Sequence, residues 1–118
     1  MDINDYIKFI SENKTERECV SAAEEILKAS GFKELELQLY NSLKPGDKVY
    51  FKNKNKNIAA FIIGNNPRLN LLGAHIDSPR LDLKAKPFYE SQGFCMIDTH
   101  YYGGIKKYQW VALPLALH

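Results

Sequence analysis

No run of apolar residues in this 118-residue chain approaches the roughly 20 that a helix needs to cross a bilayer. A basic, then apolar, then small-residue leader is also missing, since Met1-Asp2-Ile3-Asn4-Asp5 is acidic and polar. The expectation is a soluble, cytoplasmic protein with no membrane partner. Excess charge of one sign is lacking as well. Sixteen Lys+Arg against 14 Asp+Glu leave a formal charge of +2, too little to argue for nucleic acid or an anionic surface. The densest basic stretch, Lys52-Asn53-Lys54-Asn55-Lys56, alternates with Asn and reads as a solvated turn. Cysteine is scarce: Cys19 and Cys95 stand far apart and form no C-x-x-C pattern. One disulfide is the alternative to a pair of buried or half-buried free thiols, and the thiols fit better. Internal repeats, low-complexity tracts and an obvious interdomain linker are absent too.

What is present is an ordinary globular composition, 45% hydrophobic, 25% charged and 12% aromatic, enough for a packed core in one domain of common size. Ile3, Tyr6, Ile7 and Ile10 recur at helical spacing over residues 2–12. Thr15 followed by Glu18 is a capping-box pattern. Val20, Ala23, Ile26, Leu27 and Ser30 then trace one face, and Gly31 suits the left-handed position after a C-terminus, so a helix is predicted over about 16–30. Past Gly31 the period drops to two. Leu35, Leu37 and Leu39 alternate with Glu34, Glu36 and Gln38, as in a half-buried strand. Lys44-Pro45-Gly46-Asp47 is turn chemistry. Val49-Tyr50-Phe51 and residues 58–63 flank the Asn/Lys stretch as a hairpin. Leu69-Asn70-Leu71-Leu72-Gly73-Ala74 reads as a short apolar strand running into His75, and Leu81–Lys84 as a further alternating stretch that Pro87 interrupts. The apolar segment from Trp110 to His118 carries no cap or polar tail, so the sequence is expected to continue into further structure.

The strongest chemical feature is His75-Ile76-Asp77 at the end of that apolar run. On a continuing strand, residues i and i+2 face one side, so imidazole and carboxylate can meet. A carboxylate holding one ring nitrogen fixes the tautomer and leaves the other nitrogen for a metal. H-x-D alone is a common tripeptide, and a structural hydrogen-bonding histidine is the plainer account of it. Ser78-Pro79 directs an extended or turning exit from the pair. His100 lies in a Tyr- and Gly-rich stretch better suited to a loop or subunit contact than to ligation. Tyr101-Tyr102-Gly103-Gly104 lacks the Lys-Ser/Thr partner and following helix of a phosphate loop, so the glycines supply backbone freedom. Arg80 is either an exposed salt bridge or, less plainly, a contact for an acidic substrate group. Ser78 has none of the flanking glycines of a nucleophile elbow.

The wider context of the pair, Gly73-Ala74-His75-Ile76-Asp77-Ser78-Pro79-Arg80-Leu81-Asp82-Leu83-Lys84, resembles the zinc-site strand of the aspartyl aminopeptidase family, which carries G-A-H-x-D-S-P there. Thr99-His100-Tyr101-Tyr102-Gly103-Gly104, with Trp110 and Pro114-Leu115 after it, is similar to that family's threonine–tyrosine–glycine segment, in the form of its bacterial branch. The resemblance covers essentially the whole chain as an N-terminal fragment. It implies an α/β fold, with N-terminal helices on a mixed β-sheet of a zinc-aminopeptidase-like catalytic domain whose central strand ends at His75. It also implies the start of an inserted assembly domain, which divides the chain into residues 1–84 and 85–118. The implied activity is removal of N-terminal residues, often acidic ones, from peptide substrates by a metal-activated water at a site of two zinc ions, in a homo-oligomer. His75 matches the family's metal ligand, and Asp77 the carboxylate that orients this imidazole. The other family ligands have no counterpart up to His118, so this chain alone is expected neither to hold zinc tightly nor to be active. A non-catalytic assembly or binding module derived from the same fold is the alternative reading.

Overall fold

Two capping boxes start the first helices. In α1 (Ile3–Glu12), the Asp2 carboxylate accepts from the Asp5 N–H at 2.9 Å, and Asp5 accepts in turn from the Asp2 N–H at 2.9 Å. Helix α2 (Glu16–Ala29) repeats the device with Thr15 and Glu18, whose carboxylate takes the N–H groups of both Lys14 and Thr15 at 2.8 Å. Gly31, at φ +83°, ends it in the left-handed conformation predicted for that position. The computed structural model describes residues 2–36, 38 and 42–118, which fall into two compact units, Met1–Asp77 and Ser78–His118.

In the first unit a mixed three-stranded sheet follows the helices. Strand β1 (Lys33–Glu34) runs parallel to β2 (Lys48–Asn53), which pairs antiparallel with β3 (Asn57–Ile62). Past β1 the Leu35 N–H still donates to the Tyr50 carbonyl at 2.7 Å. Leu37 and Leu39, the rest of the alternation read from the sequence, lie outside the described residues. The Lys44–Asp47 turn closes as expected, with Asp47 N–H on the Lys44 carbonyl at 3.0 Å and Gly46 at φ +94°. At the β2–β3 hairpin, Lys54 and Asn55 both have positive φ, the pattern of a type I′ turn.

The core joins α2 to β2. Val20 is fully buried and Tyr50 only 1% exposed, and Cys19 and Val49 are buried as well. Burial first, then the charges of Glu18 and Glu16, raises the pKa of the Cys19 thiol and keeps it protonated. Both cysteines are free, as expected, but Cys95 is exposed rather than buried. Lys52 also departs from the solvated-loop reading. It lies on β2, and its ammonium meets the Glu24 carboxylate of α2 at 2.7 Å. Glu24 also accepts from the Tyr50 hydroxyl at 2.9 Å and pairs with Lys28 at 3.0 Å. A carboxylate with three donors is favoured in its charged form. Lys52 first, then Lys28 and Tyr50, hold it down at about 2.

The pH consequence follows from linkage. Glu24 titrates lower in the folded chain than in the unfolded one, so its stabilisation is complete above the usual carboxylate range. That stabilisation is lost as pH falls from the ordinary value of 4.5 towards 2. The thermal midpoint is therefore expected to drop across that window, and Glu24→Gln to flatten the drop. An unchanged acid limb in the variant would refute the assignment.

One predicted strand does not form. Residues 68–79 take part in no ladder among the described residues, and Leu69, Leu71 and Leu72 are exposed, Leu72 by 97%. The apolar run has the composition of a central strand, covered on both faces and paired on both edges. No described residue supplies the paired edge. The apolar stripe of α1 (Ile3, Tyr6, Ile7 and Ile10) is likewise exposed.

The second unit is an antiparallel hairpin, β4 (Arg80–Ser91) with β5 (Phe94–Tyr102), followed by the single helical turn α3 (Lys107–Trp110). The sequence reading missed β5. Its signal was the Gln92-Gly93 pair, both at positive φ, ahead of the alternating Cys95, Ile97, Thr99 and Tyr101. Pro87, expected to interrupt the alternation that begins at Leu81, lies inside β4 at a break in its pairing. The ladder slips between Leu83 and Phe88, a bulge in which a residue without an N–H is tolerated.

Candidate metal-ligand pair

His75 and Asp77 lie at the end of the first unit, where the chain has left the β1–β3 sheet and has no ladder partner among the described residues. The two side chains turn to the same side. His75 Nδ1 is 3.3 Å from Asp77 Oδ1 and 3.0 Å from the Asp77 backbone carbonyl. Both of these atoms are acceptors, so the contacts are satisfied when Nδ1 carries the proton. Nε2 is then the nitrogen with the lone pair. The imidazole is 84% exposed, so that lone pair is not sealed in an apolar interior.

The sequence reading found the two residues but not the closer acceptor. A main-chain carbonyl leaves no signature in a sequence, whereas a carboxylate two positions on does.

As a zinc site this pair is one part of a donor set. An exposed imidazole with one nitrogen held by acceptors fits one zinc bond through the other. Among the described residues no group of three or more His, Cys, Asp and Glu side chains is arranged to hold an ion. Two concavities in the first unit, of about 430 and 650 Å³, are lined by neither His75 nor Asp77.

The remaining candidates fall elsewhere. His100 is on a strand rather than in a loop: it stands on β5 opposite Asp82, exposed, with Nδ1 3.4 Å from the Tyr101 carbonyl. Arg80 forms a salt bridge, but a half-buried one. Its Nε donates to Asp82 Oδ1 at 2.7 Å, and its guanidinium lies 4.2 Å over the Tyr102 ring. Gly103 takes φ +78°, the backbone freedom expected of the glycine pair.

Comparison with known proteins adds the context that two residues cannot. A family model described as "Aminopeptidase I zinc metalloprotease (M18)" matches residues 9–118. A Clostridium acetobutylicum protein named "Probable M18 family aminopeptidase 1" is 54% identical over 115 residues, covering 93% of this chain and 25% of its own length. The crystal structure of aminopeptidase I from Borrelia burgdorferi superposes with a TM-score of 0.81 at 38% identity, covering 97% of this chain and 31% of that one. The mApe1 dodecamer of S. cerevisiae gives 0.74 at 31% identity, covering 86% and 25%. The chain thus spans about a quarter of the length of the curated relatives it matches.

Proposed function

The chain belongs to the M18 family of aminopeptidase I zinc metalloproteases, and from that premise we propose that it supplies one zinc ligand to a peptidase that removes N-terminal residues from peptides. The observation that carries the reading is the His75–Asp77 geometry, an exposed ring whose Nδ1 is held by two acceptors.

His75 would hold the ion through Nε2. Asp77 would fix the ring by its carboxylate and main-chain carbonyl, so that little rotamer freedom is lost on binding. Zinc so bound, one of two ions proposed for the complete site, would supply a Lewis acid and an activated water for amide hydrolysis. The missing ligands would come from the three-quarters of the relatives' length that this chain does not cover. The exposed Leu69, Leu71, Leu72 and α1 stripe agree with that, being apolar surface of the kind a larger domain covers. Residues 85–118 would begin an inserted assembly domain. A homo-oligomer is supported by the dodecamer among the relatives, and a reducing cytoplasm by two unpaired cysteines.

A polypeptide of the relatives' length is expected to hydrolyse aminoacyl substrates, to lose that activity to a chelator and to regain it with zinc. The 118-residue chain is expected to be inactive and to bind zinc weakly. Submicromolar zinc affinity in the short chain, or chelator-resistant hydrolysis in the long one, would contradict the reading.

A further inference from the structure

We infer that the outer edge of β5 pairs antiparallel with β5 of a second copy of this chain, with Thr99 on the two-fold axis. This rests on the homo-oligomer reading, to which it gives an interface, and needs nothing of the zinc site. The second unit is a sheet of two strands, and among the described residues β5 is paired on its β4 side alone. A two-stranded hairpin is marginal in water by itself, and three or more strands with an apolar face are needed for independent stability. No residue of 78–118 is buried.

The two edges of the hairpin differ. Along β4, Lys84, Lys86, Pro87 and the slip in the ladder are devices that keep an edge from pairing. β5 has none of them. Its nine residues hold no Lys, Arg or Pro, and Asp98 is their one carboxylate. An exposed edge of that length with so little charge is a template for another strand.

Charge then selects the register. Two copies related by a two-fold axis make an isologous contact, in which residue i meets j and j meets i. With Thr99 opposite Thr99, Asp98 of each copy faces His100 of the other, and Ile97 faces Tyr101, each contact occurring twice. Centring the pair one residue earlier sets Asp98 against Asp98, and one later His100 against His100. Like groups directly opposite disfavour pairing, whereas Thr–Thr, opposite-charge and aromatic–β-branched pairs favour it. Asp98 accepts from Lys84 through Oδ2 at 2.9 Å, and a carboxylate has lone pairs for a second donor. His100 is exposed. On the other face, Leu83 and Phe88 of β4 stand opposite Thr99 and Ile97, and Leu83, Phe88, Ile97 and Tyr101 are all exposed. Pairing through β5 joins them into one apolar face across four strands, in the order β4-β5-β5-β4.

Sedimentation of the 118-residue chain over a range of concentrations is expected to show a dimer. Thr99→Lys sets two ammonium groups against each other on the axis and is expected to raise the dissociation constant about tenfold. Ser91→Lys, at the far end of the same hairpin, should leave it where it was. Crosslinking reads the register and decides in its place if Thr99→Lys fails to fold. Residues directly opposite have Cα atoms about 4.5–5.5 Å apart, within the roughly 4.4–6.8 Å that a disulfide spans. In a Cys19→Ser, Cys95→Ser background under oxidised glutathione, Thr99→Cys is therefore expected to form a disulfide dimer. Ile97→Cys, whose counterpart lies about 14 Å along the partner strand, is expected to form little. A dimer that Thr99→Lys leaves intact would keep the homo-oligomer and overturn this interface, as would equal disulfide yields at positions 97 and 99. A 118-residue chain that stays monomeric at every concentration would overturn it too. Sedimentation of a polypeptide of the relatives' length then shows whether the homo-oligomer has failed with it.

Discussion

His75→Ala, in a polypeptide of the relatives' length, is expected to weaken zinc binding by more than about 100-fold, and Asp77→Ala by about tenfold. The order follows from what each change removes. The first deletes the donor atom itself, and a three- or four-ligand site loses a full bond. The second deletes a partner of the ring, for which losses of about 10–100-fold are usual. The Asp77 carbonyl, the closer of the two acceptors at 3.0 Å, survives the substitution, which places the cost at the low end of that range. Competition against a chromogenic chelator measures both, with circular dichroism to verify the fold. Zinc affinity unchanged in His75→Ala would end the assignment. A loss in Asp77→Ala as large as in His75→Ala would make the carboxylate a ligand rather than an orienting group.

The second large effect is in the core. Tyr50→Ala is expected to destabilise the first unit by about 3–5 kcal/mol, the usual cost of truncating a buried aromatic side chain. Tyr50 is the largest fully buried side chain among the described residues, and its hydroxyl joins β2 to Glu24 of α2. With total stabilities of about 5–15 kcal/mol for a domain, the variant would be at the edge of unfolding. Tyr50→Phe keeps the ring and removes only the hydroxyl that donates to Glu24 at 2.9 Å, so a cost of about 1 kcal/mol is expected. Glu24 keeps Lys52 and Lys28 in that variant. Urea unfolding with matched slopes separates the two substitutions. Equal losses in both would assign the stabilisation to the hydrogen bond and not to the buried ring.

The sequence determined those elements whose causes are local. Thr15 and Glu18 cap a helix from their own spacing. Pro45-Gly46 makes its turn, and the Asn/Lys stretch closes its hairpin with two left-handed residues. His75 and Asp77 could be named because imidazole and carboxylate at that spacing are chemically legible, and the surrounding G-A-H-x-D-S-P made the family legible with them. Tertiary structure decided what depends on partners distant in sequence. Lys52 became a half-buried partner of Glu24 because the α2–β2 packing brings their charges together. Pro87 was absorbed into a bulge because β5, invisible in the first reading, holds the rest of β4 in register. The apolar run before His75 had the composition of a strand but formed none, since a strand is a property of a pair. The atom that holds the His75 ring most closely belongs to the backbone, and only three-dimensional placement gives a carbonyl that role.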